Sequence, residues 1–149
     1  MRRREQAQTL VSLMRIRTVQ RQAAEMRAAA AAVRLRGLED QRRAGEARVE
    51  QHQIAWSQVM GRPHIPLDLA GAWTLALSRE TQALASLAPQ VRQAQADRSQ
   101  CNGEWRTAIA QAQVAEDLAN AARRALEQAR QDRLLGEVED RTARQVRAS

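Results

Sequence analysis

Apolar residues in this chain recur in alternating steps of three and four. In the second half the series runs Leu77, Glu80, Leu84, Leu87, Val91, Ala94, Arg98, Cys101, Trp105, Ala108, Ala112, Ala115, Ala119, Ala122, Leu126 and Ala129; only Glu80 and Arg98 are not apolar. A period of 3.5 held this long is the mark of a coiled-coil helix, because slight underwinding keeps every such position against a partner. A weaker series fills the first half: Ala7, Leu10, Met14, Arg17, Arg21, Ala24, Ala28, Ala31, Leu35, Leu38, Arg42, Gly45, Val49, His52, Trp56 and Val59. Between the two, Gly61-Arg62-Pro63-His64-Ile65-Pro66-Leu67-Asp68 combines a glycine with two prolines, and the chain is expected to reverse there.

A reversal at that point pairs residues whose numbers add to about 129, counted from the turn. Leu38 then meets Val91, Leu35 meets Ala94, Ala28 meets Cys101, and Ala24 meets Trp105. Large side chains mostly face small ones, as close packing requires. Trp56 meets Trp73 beside the turn, where a stacked pair would resist fraying. The expected fold is all-α: two long helices forming an antiparallel coiled-coil hairpin, with a longer, kinked second helix, over a single domain of residues 1–149. Helix one should cover about 5–60, a rod of roughly 84 Å at 1.5 Å per residue. The turn takes 61–68, and helix two runs from about 69 to 144 with Asp68 as its N-cap.

Two features bear on that second helix. Pro89 costs about 3 kcal/mol inside a helix, yet the repeat keeps phase from Leu87 to Val91, so a bend near 89 is expected and not an end. Arg42 facing Leu87 and Gly45 facing Leu84 make a poor seam nearby, which marks residues 40–48 and 84–92 as a candidate flexible joint. Asn102-Gly103 ordinarily signals a turn, and a break there would give a three-helix bundle instead. The phase again continues, from Cys101 to Trp105, and outweighs a glycine penalty of about 1 kcal/mol.

Composition favours the hairpin over a globular domain. There is no Phe or Tyr, only three Trp, and 30 of the 149 residues are Ala. Two facing stripes can be covered with this material, whereas a thick core cannot be filled. Ala, Arg, Gln, Glu and Leu, the strong helix formers, dominate. The apolar stretch from Ala28 to Val33 is much shorter than the roughly twenty residues that span a bilayer, so a soluble, cytoplasmic chain without direct membrane insertion is expected. Cys101 is alone and reads as a small buried thiol on the seam.

Charge is uneven. The formal net charge is +7 and every basic residue is Arg. Residues 1–21 hold six Arg against one Glu, while residues 109–149 hold seven of each sign. Arg2, Arg3 and Arg4 stand at the positive end of the helix dipole, where they do not help the helix start, so an acidic partner is one reading and a frayed terminus the other. Helix two should outrun helix one by some twenty residues, leaving an unpartnered tail that still carries Leu134, Leu135 and Val138. Helix one has a second apolar stripe on its outer side, Ile16, Val19, Ala23, Met26, Ala30 and Val33, which Val114 and Leu118 of helix two would extend. Either a third helix or another protein covers it.

No catalytic or metal-binding constellation is evident. His52 falls on the seam opposite Leu77 and His64 in the turn, with no Ser, Cys or paired carboxylate placed beside either. Pairs such as Arg21 with Glu25 and Arg123 with Glu127 follow the spacing of a solvated helix face. An enzyme, a metal site and a cofactor are therefore not expected.

The segment Leu13-Met14-Arg15-Ile16-Arg17 with Arg21 and Ala24, and Glu104-Trp105-Arg106 in mid-helix, resemble the FliJ and YscO family, the stalk proteins of bacterial flagellar and type III secretion export machines. The resemblance spans most of the chain. It implies a non-enzymatic central stalk, similar to the γ subunit of rotary ATPases, that couples a hexameric export ATPase to a membrane export gate, with export chaperones as further partners. By the same resemblance the ATPase ring would be met by Arg2, Arg3, Arg4, Leu10 and Leu13 together with Leu134, Leu135 and Val138. The export-gate protein would be met by Trp73, Leu77 and Leu84, and the chain would sit in the cytoplasm, peripheral to the inner-membrane secretion apparatus. Three other readings stay open: a scaffolding coiled coil, a basic nucleic-acid-binding coiled coil and a helix lying on acidic lipid. Nucleic acid is disfavoured because the positive charge is concentrated in the first 21 residues instead of forming a continuous face.

Overall fold

In a computed structural model that describes residues 2–148, the chain forms two helices, α1 (Arg2–Met60) and α2 (Leu67–Ala148). They make an antiparallel helical hairpin, as the sequence pattern predicts. Both helices run through their suspect positions: α2 contains Pro89 and is unbroken at Asn102-Gly103, so the three-helix alternative does not occur. Around Pro89, whose ring removes a backbone donor, side chains supply bonds to nearby carbonyls. Ser86 Oγ donates to Ala83 O at 2.7 Å and Gln90 Nε2 to Ser86 O at 3.2 Å.

The reversal is tighter than the sequence suggests. Arg62 N donates to Val59 O at 3.1 Å to close α1, and no glycine adopts a left-handed conformation. Asp68 is not the N-cap: α2 starts at Leu67, two residues before the expected start, with Ala70 N donating to Pro66 O at 3.1 Å. Pro66 can take the leading position because it has no N–H to leave unpaired, and its ring pre-sets the dihedral there. Asp68 falls in the first turn, where its charge still favours the positive end of the dipole.

The chain divides into two compact units, one of residues 26–103 and one of residues up to 25 with those from 104 onward. In the first, which holds the turn, the core is Leu35, Val91 and Ala94, with Leu38 packed against it. Nearer the turn a Cβ on Gly45 would lie 3.2 Å from Leu84 Cδ1, Arg48 Nε donates to Glu80 Oε2 at 3.1 Å, and the rings of Trp56 and Trp73 are 6.5 Å apart. These pairs add to 128 or 129 as α1 numbers rise and α2 numbers fall, the antiparallel register read from the sequence. The two tryptophans are tilted by 36° instead of stacked, and His52 meets Trp73, one turn from Leu77 on α2, edge-on at 5.7 Å. Long helical side chains lean along their own helix, so they reach a neighbour one turn from the position that counting assigns.

The second unit is an alanine seam. Ala7, Ala24, Ala112, Ala115 and Ala119 are buried, and Ala119 has no exposed surface at all. Arg17, which looks like an interruption in the repeat, spans the pair: its Nη1 donates to Gln111 Oε1 at 2.7 Å and to Gln20 Oε1 at 3.0 Å. Small side chains let the backbones approach closely but bury little apolar area per residue, so each added methylene at such a position is felt.

Gly37 and Gly45 separate two roles of glycine in one helix. A Cβ on Gly37 would meet nothing within 4 Å, whereas one on Gly45 would press on Leu84. Gly37→Ala is therefore expected to stabilise the turn-containing unit by about 0.5–1 kcal/mol through helix propensity alone. A denaturant midpoint that falls in this variant would show that the open space at Gly37 is needed.

Candidate interaction surfaces

The residues singled out from the sequence for partner contact fall on both units. In the unit with the helix ends, Arg3 and Arg4 of α1 line one groove with Leu126, Arg130, Arg133 and Leu134 of α2, rimmed by Glu127 and Glu137. Four guanidinium groups against two carboxylates give that groove a positive excess. Arg2 and Leu10 line a second groove with Glu5, Gln6 and Thr9. Leu13 lines a third with Ala110, Val114, Ala115 and Leu118, and Arg17 and Gln111 cross its floor. The expected ring-facing residues thus lie on several neighbouring surfaces of one unit, not on a single site.

Beyond the groove with Arg3 and Arg4, α2 continues without a neighbour from α1. Every residue from Gln131 to Ala148 is exposed apart from the half-buried Gly136. The seam phase of Leu126 and Ala129 would next fall on Arg133 and Gly136, so Leu134, Leu135 and Val138 do not continue it. Leu135 is nine residues past Leu126, which at about 100° per residue turns it to the opposite side of the helix. The tail's leucines are therefore a separate apolar stripe, 53–62% exposed across Leu134, Leu135 and Val138.

In the turn-containing unit Trp73, Leu77 and Leu84 are each half-buried. Trp73 contacts His52 and Trp56, and Leu84 packs over Gly45, so the hairpin itself uses most of the surface that a gate contact would need. Sequence reasoning missed the groove beside them, lined by Trp56, Met60, Ile65, Leu67, Leu75 and Ser78. Leu67 is 89% exposed there. Its signal was available: Leu67 and Leu75 lie off the heptad and next to prolines or small residues, where a solvated helix has no use for leucine.

The outer stripe of α1 is exposed on both units: Ile16 and Val19 on one, Met26 and Val33 on the other. Thr9 and Ser12, ahead of this stripe, and Thr18 within it donate to the carbonyls of Glu5, Gln8 and Met14, which satisfies their hydroxyls within the helix.

Among the described residues no group of three or more His, Cys, Asp or Glu is placed to hold a metal ion, and no helix is long and apolar enough to cross a membrane. His64 is exposed in the turn. Cys101 is half-buried at the edge of a groove with Arg27, Ala31, Arg34 and Asp97. The ion pairs Arg42–Glu46 and Asp40–Arg43 are solvent-facing, at 3.6 and 3.8 Å, and add little to stability. Comparison with protein-family models, with curated proteins and with solved structures finds no match for this chain.

Proposed function

We propose that this chain is a non-enzymatic coupling stalk of a type III protein export apparatus, flagellar or virulence-associated, linking a hexameric export ATPase to a membrane export gate. The observation that carries the reading is an exposed apolar stripe on α2 next to a groove rich in arginine. Leu134 lines the groove with Arg3, Arg4, Arg130 and Arg133, and Leu135 and Val138 continue the exposed stripe beside it. A solvated helix face has no use for such a stripe, so it favours a role in docking. The resemblance of Leu13-Met14-Arg15-Ile16-Arg17 and Glu104-Trp105-Arg106 to the FliJ and YscO family gives the partner its class.

On this reading Arg2, Arg3, Arg4, Leu10 and Leu13 act with the tail against the ATPase ring. The half-buried Trp73, Leu77 and Leu84 offer the gate only their outer edges, and the uncharged groove at Met60, Leu67 and Leu75 supplies the rest of that contact. Ring binding adds burial to an alanine-rich seam that buries little by itself. Mixing with the cognate ATPase should therefore raise the melting temperature, by the equivalent of about 2.7 kcal/mol at a hundredfold excess over Kd. Replacing Leu134, Leu135 and Val138 together by serine should weaken binding at least about tenfold, the scale of a 1.4 kcal/mol loss. An unchanged melting curve with no measurable ATPase binding would remove the stalk reading and leave a scaffolding coiled coil.

A further inference from the structure

We infer that the groove between the start of α1 and the later part of α2 takes an acidic amphipathic helix of a partner protein, one whose carboxylates sit on its middle turns. The groove has a half-buried apolar floor, Leu126 and Ala129, with the exposed Leu134 beside it. Arg3 and Arg4 bound it on α1, and Arg130 and Arg133 on α2. Among the described residues none of these four arginines makes an ion pair or a side-chain hydrogen bond. Their donors face solvent, with no carboxylate of this chain committed to them.

Charge order selects the occupant. Along α2 the groove reads Glu127, Arg130, Arg133 and Glu137, so positive charge stands at the centre and one carboxylate toward each end. From Glu127 to Glu137 the rise is about 15 Å, nearly three helical turns. A partner helix of that length matches this order when an apolar stripe at steps of three and four lies over Leu126, Ala129 and Leu134 and acidic residues flank its middle turns. Its carboxylates then accept charge-assisted bonds from guanidinium groups of both helices, at the border of an apolar contact. Nucleic acid fits the groove less well. Its evenly spaced phosphates would meet Glu127 and Glu137 as well as the arginines, and a phosphate strand supplies no apolar ridge for the floor. A second copy of this chain would bring its own net charge of +7 toward the arginines. This partner chemistry rests on the stalk reading for the groove's role as a docking end. Its test uses a peptide and not the ATPase, so the melting curve with the ATPase decides the stalk reading and peptide binding decides the chemistry of the groove.

The probe is a fluorescent, alanine-rich helical peptide of about twenty residues, with leucines at steps of three and four on one face and glutamates flanking the middle leucines. Its control has the same composition with the glutamates moved to the opposite face. Fluorescence anisotropy with the full chain should show saturable binding of the acidic peptide that weakens with salt, and binding of the control weaker by at least about tenfold. Arg130→Gln with Arg133→Gln should weaken binding of the acidic peptide at least about tenfold, through loss of two charge-assisted bonds. Arg141→Gln with Arg144→Gln removes the same charge from the tail past the groove and should weaken it less than about threefold. All four positions are exposed, and circular dichroism checks that helicity is unchanged. No binding of the acidic peptide below about 1 mM would overturn the proposal. So would equal weakening by the two double variants, or equal binding of the control peptide. A DNA duplex that binds more tightly than the peptide, and loses that binding with Arg130 and Arg133, would overturn it in favour of a phosphate ligand.

Discussion

Replacing Leu35 by alanine is expected to destabilise the turn-containing unit by about 2–3 kcal/mol, in the lower half of the range for buried leucines. Leu35 is 4% exposed and packs with Val91 and Ala94, which are 3% and 2% exposed. In a pair of helices the space that a truncation leaves opens to solvent, which keeps the cavity contribution small and the loss in the lower half of that range. Alanine is also the better helix former, so any loss measured must come from packing and not from propensity. In a thermal melt the change corresponds to a shift of roughly 5–10 °C for a chain of this size. A loss below about 0.5 kcal/mol would mean that Leu35 is not in the core of a helix pair.

The opposite substitution is expected to harm the other unit. Ala119→Leu should cost about 1–3 kcal/mol by overpacking, because Ala119 is wholly buried in a seam whose other members include Ala112 and Ala115. On a solvated helix the same change is close to neutral, since Ala and Leu differ little in propensity. Ala143→Leu, at an exposed position of the same helix, supplies that baseline. Urea denaturation of the two variants separates crowding from propensity. Equal midpoints would show that no helix lies against Ala119.

These two positions show why the fold was legible from the sequence. Of the 32 positions assigned to the two seams, only Arg42 and Arg98 are exposed. A heptad repeat encodes which side of a helix is covered, and a single reversal with short connections leaves one register. The polar interruptions were less legible. Glu80 reads as a flaw in the repeat, yet its carboxylate accepts a bond from Arg48 across the pair, and Arg17 likewise reaches Gln111. Long side chains at seam positions can place their polar ends at the border while their stems stay on the seam.

What the repeat could not express was anything that depends on direction along the helix or on the turn's local chemistry. The edge-on contact of His52 with Trp73 was therefore not foreseen, and α2 began at Leu67 and not after Asp68. The candidate surfaces were legible as residues and not as groupings. Arg3, Arg4 and Leu134 share a groove as the tail reading requires, while Leu10 and Leu13 line different ones. Gate-facing Trp73, Leu77 and Leu84 lie in the seam because the heptad that makes them conspicuous also buries them. The groove at Met60, Leu67 and Leu75 escaped because it is formed by residues on both sides of the turn, which no periodicity connects.

The hairpin requires α1 to fold back on α2 of its own chain with paired numbers near 129. Spin labels test this at two exposed or half-exposed pairs, positions 48 with 80 and 17 with 111, in a Cys101→Ser background. Labelled chains are diluted with excess unlabelled chain so that only distances within one molecule are read. Helices packed about 8–10 Å apart should hold each pair of labels within about 20 Å. An extended chain would separate residues 17 and 111 by roughly 140 Å at 1.5 Å per residue, and distances beyond about 40 Å at either pair would contradict the hairpin.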